Sequence, residues 1–260
     1  AVGELCAPDA GVLAESFLDV ALASSASDPQ PDWFDEERWR RIAANFGVIA
    51  RMAGQCGLRG LIIDPEHYER DLFRMSRASG RSFATTAEVV RRRGRAIMAE
   101  IAANHPRPVV LFLFGGTLPM RNLEAAGSLE AAEYGLLLAF LDGFLDARPP
   151  AARIVDGYEF AYSLFDRDEF EHARKTIRRD ARRLAADPAR YDQGIDVGFG
   201  LWLDYERTLD RFSPARWRDT LANALAVTDR YVWVHAQTVE FYPPSANAVP
   251  YVEAMRELRR

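Results

Sequence analysis

The feature that most constrains this chain is an alternation sustained along most of its length. Short apolar runs of strand character fall at 17–21, 60–64, 109–114, 154–162, 197–203 and 231–236. Between them lie amphipathic stretches of helical length, at about 35–55, 85–104, 129–147, 167–186 and 214–226, and a last helix at about 249–258. Strand followed by helix, repeated, implies parallel strands joined by right-handed crossovers. Six units can be counted, and a (β/α)₈ barrel of TIM type accommodates eight in roughly this length. The expected fold is therefore α/β: a TIM-type barrel, incomplete or irregular, with residues 1–260 forming one domain. Missing strands are sought at Val2–Cys6 or outside the chain. An open doubly wound sheet competes, but no glycine-rich strand-to-helix turn of the dinucleotide type is present. Gly115-Gly116 alone is weak evidence for phosphate.

Local signals agree with these boundaries. Asp35-Glu36-Glu37 places acids in a first helical turn, where the helix dipole favours them. Gly57 marks the end of that helix. Ser213-Pro214 reads as an N-cap followed by a first-turn proline, and Pro106 and Pro108 close the helix before the third strand. Pro149-Pro150 interrupts the pattern, which then resumes at the same pace.

Composition narrows the function classes. A net charge of −5 argues against nucleic acid or an anionic membrane as the partner. No apolar run reaches the length of a membrane span. Lys175 is the only lysine beside 32 arginines, so Schiff-base chemistry would have to use it. Cys6 and Cys56 are the only cysteines, too few for a disulfide framework or a zinc site, and Cys56 reads as a packing residue. No cofactor and no metal are expected. The chain shows no signal peptide and no initiator methionine, which leaves the bacterial cytoplasm and a secreted mature form both open.

The chemistry is expected at the strand ends. Gly60-Leu61-Ile62-Ile63-Asp64-Pro65-Glu66-His67-Tyr68 runs from a buried strand into two carboxylates, a histidine and a tyrosine. Asp64 and Glu66 are two apart, so an extended backbone sends both to one side. After the fourth strand come Glu159 and Tyr162; after the fifth, Trp202, Asp204, Tyr205 and Glu206; after the sixth, Trp233, His235 and Gln237, with Glu240 and Tyr242 beyond. Acids mixed with tryptophan and tyrosine suit a sugar site: carboxylates act at the anomeric centre and aromatic faces stack on pyranose rings. Glu66, Glu159 and Asp64 are the catalytic candidates. Tyr68, Tyr162, Trp202, Asp204, Tyr205, Trp233, His235 and Gln237 are the substrate-binding candidates. His67 reads equally as catalytic or structural, and His105 and His172 read as surface residues.

The run Gly60–Tyr68 resembles the catalytic strand of chitinase-like glycoside hydrolases, where glycine and apolar residues precede D-x-E-Y. The resemblance implies Glu66 as general acid and Asp64 as its assistant. The family's two upstream aspartates have no counterpart, since about Arg59 and Ile62 stand there. More broadly, Asp32-Trp33-Phe34-Asp35, Asp64-Pro65-Glu66, Gly157-Tyr158-Glu159 and Tyr231-Val232-Trp233-Val234 are similar to bacterial glycoside hydrolase-type barrels. In many retaining barrel glycosidases a glutamate nucleophile ends a late strand; the matching position here is Gln237, and Glu159 is the substitute.

The leading reading is a glycosidase acting on an oligo- or polysaccharide, with Glu66 as general acid/base and Glu159 as nucleophile or base for water. A second is a metal-dependent sugar isomerase or epimerase gathering Glu66, Glu159, Asp204 and His235 around a divalent ion. A third is a barrel that binds glycan without turnover.

Overall fold

The computed structural model describes residues 15–22, 31–68, 71–76, 80–205, 212–241 and 243–258. The sequence expectations at Val2–Cys6, Glu206 and Tyr242 lie outside the described residues. The fold is α/β. Five strands, β1 (Phe17–Ala21), β2 (Gly60–Asp64), β3 (Val109–Phe112), β4 (Arg153–Asp156) and β5 (Ile195–Val197), form a parallel sheet in chain order. Strands β6 (Phe199–Trp202) and β7 (Val232–His235) form a second parallel pair. Among the described residues eight α-helices accompany them: α1 (Glu36–Gln55), α2 (Phe83–Asn104), α3 (Thr117–Ala126), α4 (Leu137–Ala147), α5 (Arg167–Lys175), α6 (Pro188–Gly194), α7 (Pro214–Val227) and α8 (Val249–Glu257). No helix among the described residues is long and apolar enough to cross a membrane.

The strands divide two cores between their faces, as the two-residue period of a strand requires. Leu61, Ile63, Val110, Phe112 and Ile154 belong to the large core shared with the helices. Val109, Leu111 and Val155 face the other way and pack with Phe17, Ile62, Leu113, Tyr231 and Trp233. That second core joins the first strand to the last. The Phe17 and Tyr231 rings meet edge-on at 5.4 Å, and Tyr231 Oη accepts from Arg59 Nε at 3.0 Å.

Helix ends follow the expected capping chemistry. Asp35 accepts from the Arg38 N–H ahead of α1, and Ser213 from the Arg216 N–H ahead of α7. Gly57, with φ of 69°, turns the chain after α1. Helices α2 and α4 cross closely at Gly94 and Gly143. A Cβ on Gly94 would lie 2.2 Å from the Phe140 carbonyl oxygen, and one on Gly143 2.1 Å from that of Arg91. The arginine-rich surface is internally neutralised. Asp146 takes Arg91, Arg95 and Arg190, Asp229 takes Arg174 and Arg178, and buried Arg93 grips Glu36 through two 2.7 Å bonds.

Several expected boundaries move, each for a local reason. The run at 154–162 is strand only to Asp156. Gly157 N–H then donates to the Phe112 carbonyl, Tyr158 takes a left-handed φ of 39°, and Glu159–Ser163 form a 3₁₀ turn. The run at 197–203 becomes two strands, because Gly198 donates to Asp156 while Phe199 donates to Tyr231, so the chain changes partners there. The expected helix at 129–147 begins only at Leu137, and α3 and α6 were not expected. The stretch 167–186 keeps α-helical form only to Lys175, then loosens through a π turn and tightens through a 3₁₀ turn. His105 is buried, not a surface residue, with Nε2 3.1 Å from the Leu58 carbonyl. Cys56 is in a disulfide instead of packing as a free thiol; the chain's other cysteine, Cys6, lies outside the described residues.

Candidate active site

The polar residues at the C-terminal strand ends share the face that carries the second core. On β1, alternation places Asp19 with Phe17. On β2 it places Asp64 with Ile62, and Ala21 pairs in register with Asp64. Asp64 is buried, with Oδ1 accepting the Glu66 N–H at 2.9 Å and Oδ2 accepting the Tyr68 hydroxyl at 2.6 Å. The same hydroxyl reaches Glu66 Oε2 at 3.0 Å. After β4, the 3₁₀ turn presents Glu159 and Tyr162, which hydrogen-bond each other.

These carboxylates act on one another. Burial raises the pKa of Glu159 to about 8, with Glu66 and Asp64 adding to the rise and the Tyr162 hydrogen bond opposing it. Glu66 is raised by burial and by Asp64 against the Tyr68 hydrogen bond. Asp19 is raised by burial and by Asp64. Desolvation disfavours each charge and a neighbouring carboxylate adds to the cost. Glu159 Oε2 is buried without a hydrogen-bond partner.

Beside Glu159 opens a cleft of about 610 Å³, lined by Phe114, Phe160, Tyr162, Ser163, Trp202 and Tyr205. Its aromatic wall is continuous. Tyr162 lies 5.2 Å from Trp202 and 5.5 Å from Trp233, and His235 stands 5.0 Å from Trp202. Tyr205 meets Trp202 edge-on at 4.7 Å. Trp233 differs from the others in lying outside the cleft's lining, packed against Tyr162 and the second core. Its N–H donates to the Gly157 carbonyl at 2.9 Å, and its ring lies so close to Gly200 that a Cβ there would be 2.4 Å away.

The structure thus brings Asp64, Glu66, Tyr68, Glu159 and Tyr162 together and sets Trp202, Tyr205, Trp233 and His235 alongside. Asp204 and Gln237 have other duties. Asp204 is fully buried and accepts the N–H groups of Gln237, Thr238 and Val239 and the Thr238 hydroxyl. Burial opposes its charge, but the hydrogen bonds from Thr238 and Gln237 prevail and lower its pKa. The Gln237 residue itself is exposed, and its backbone is what the carboxylate holds. Asp19, Phe114, Phe160 and Ser163 were not singled out from sequence. The one signal for Asp19 was an acid inside an apolar strand, Phe17-Leu18-Asp19-Val20-Ala21.

Gly115-Gly116 also finds its explanation. The Asp156 carboxylate, through Oδ1, accepts the backbone N–H groups of Gly115 and Tyr158 at 3.2 Å each, ahead of α3. A Cβ on Gly115 would lie 2.2 Å from Asp156 Oδ2. The anion in this loop is the chain's own aspartate.

Among the described residues one group approaches metal-ligand geometry: His67, Asp71 and Glu133. The His67 ring, stacked 4.0 Å from Tyr134, accepts the Phe73 N–H on Nε2 at 2.9 Å. Burial holds its pKa down at about 4, so the ring is neutral and its proton sits on Nδ1, the atom facing the two acids at 3.9 Å. A protonated ring nitrogen offers no lone pair to a metal. His67 is a structural residue that ties down the loop after β2. Glu66, Glu159, Asp204 and His235 do not converge as a ligand set.

Compared with known proteins, the chain matches no family model, no curated protein and no solved structure.

Proposed function

We propose that this protein is a glycoside hydrolase acting on an oligo- or polysaccharide, with Glu159 and Glu66 as its carboxylate pair. The observation that carries the reading is the meeting of these two acids, from the ends of β4 and β2, beside a cleft walled by Tyr162, Trp202 and Tyr205. The sequential strand order, and the core that joins β1 to β7, support a barrel of TIM type whose C-terminal face is this site.

The environments favour a division of labour that differs from the expected one. Glu159, half-buried and raised to about 8, holds a proton at neutral pH and is suited to protonate the leaving-group oxygen. Glu66, which receives the Tyr68 hydroxyl, is the ionised partner, as nucleophile or as base for water. Asp64 repels a second charge on Glu66 and fixes its backbone. The aromatic wall would stack on sugar rings, with Trp233 packed behind Tyr162.

The test is hydrolysis of a panel of aryl glycosides and oligosaccharides by the wild type, Glu159→Gln and Glu66→Gln. A fall of roughly a thousandfold or more in both variants is expected. A wild type that turns over nothing on the panel, yet binds oligosaccharide through Trp202, would replace this reading with glycan binding alone.

A further inference from the structure

Tyr68 stands out in the site because an exposed ring ends in an engaged hydroxyl. The residue is 64% exposed, the most exposed of the large hydrophobics among the described residues, yet its hydroxyl lies at hydrogen-bond distance from two carboxylates at once. The contacts are 2.6 Å to Asp64 Oδ2 and 3.0 Å to Glu66 Oε2. The position of the ring is therefore set by its polar end. A sugar platform would be the reverse: a ring packed at its edge, with the face open and the hydroxyl wet.

We propose that Tyr68 is a positioning residue that decides which carboxylate carries the site's proton: its hydroxyl, shared by Asp64 and Glu66, keeps Glu66 ionised and leaves the proton on Glu159. Asp64 and Glu66 are two residues apart on one side of the chain, and two such charges repel. A hydroxyl directed at both oxygens stabilises the doubly ionised state by donating to it. Glu159 receives only Tyr162, and its Oε2 has no partner. The other titratable groups acting on this pair come from neighbouring elements: Asp19 from β1, Glu159 and Tyr162 from the turn after β4, and Tyr134 ahead of α4. Tyr134 already accepts the His67 N–H at 2.8 Å, and Tyr162 is engaged with Glu159. Tyr68 is thus the side chain placed to separate the two protonation states. Removing its hydroxyl makes Glu66 compete with Glu159 for one proton, and the pair then titrates as a less divided couple.

The kinetic consequence rests on the glycosidase reading; the titration does not. The experiment is a carboxyl ¹³C NMR titration of wild type and Tyr68→Phe, with Glu66→Gln and Glu159→Gln spectra to assign the signals. It is paired with pH profiles of kcat/KM for the same proteins and for Tyr68→Leu. In Tyr68→Phe the Glu66 midpoint should rise by about one pH unit, and the acid limb of the profile should move up with it while KM stays put. A Glu66 curve that overlays the wild type overturns the proposal. So does a profile in which Phe is silent and only Leu raises KM, which is the behaviour of a sugar platform. A midpoint that moves in a protein that hydrolyses nothing would uphold the proton assignment and refute the glycosidase reading. Because the ring is exposed, both variants should melt as the wild type does, and melting curves check this directly.

Discussion

Glu159→Gln should make the protein more stable, and the gain should depend on pH in a defined direction. The pKa of Glu159 rises from an ordinary 4.5 to about 8 in the folded chain, first through burial and then through Glu66. A carboxyl raised by folding stabilises the fold only while protonated. Below 4.5 it is protonated in both states and contributes nothing adverse; as pH climbs toward 8 the folded state must either hold a proton or ionise at a cost. At about 1.4 kcal/mol per pKa unit the full cost above pH 8 would be roughly 5 kcal/mol. Partial solvent access and the interaction shared with Glu66 reduce it to about 2 kcal/mol. Unfolding entropy of about 2.1 cal/mol/K per residue turns that into a Tm difference of about 4 °C for this chain. Gln keeps the size and the acceptor oxygen for Tyr162 but cannot ionise. Melting curves at half-unit steps from pH 4 to 9 should superimpose at the acid end and diverge above about pH 5, with the variant higher. Parallel curves, or a variant that melts lower at pH 9, would refute the claim that Glu159 is held in an environment hostile to its charge. This assay needs no substrate, so it tests the site independently of the sugar.

Two further changes probe the frame around the site. Asp204→Ala should lower stability by about 3 kcal/mol, because the N–H groups of Gln237, Thr238 and Val239 lose their shared acceptor; the denaturation midpoint should fall and amide exchange at 237–239 should accelerate, and an unchanged midpoint would contradict the anchoring role. Gly157→Ala puts a Cβ 2.6 Å from the Phe112 carbonyl and 2.9 Å from Trp233 Nε1. It should cost about 1–3 kcal/mol and shift tryptophan emission by displacing Trp233, whereas an unmoved spectrum and Tm would show that this packing yields freely.

The alternation along the chain determined the class of fold, because a strand buried on both faces must be a short continuous apolar run and an amphipathic helix must repeat near 3.6. All six expected strand positions are occupied, and the caps at Asp35 and Ser213 form as their residue types require. The sequence by itself also placed Asp64, Glu66, Glu159 and Tyr162 just beyond strands, and for Asp64 and Glu66 the spacing of two on an extended backbone predicted a common side. What it could not determine was how those ends face one another. Asp204 and Glu66 look alike in sequence, each an acid just beyond an apolar run. Tertiary structure separated them by giving Asp204 three backbone donors across a gap of more than thirty residues and leaving Glu66 one tyrosine hydroxyl. The raised pKa of Glu159 was also left to the tertiary structure, because a pKa follows from burial and from charges brought near by folding, and neither exists along the unfolded chain.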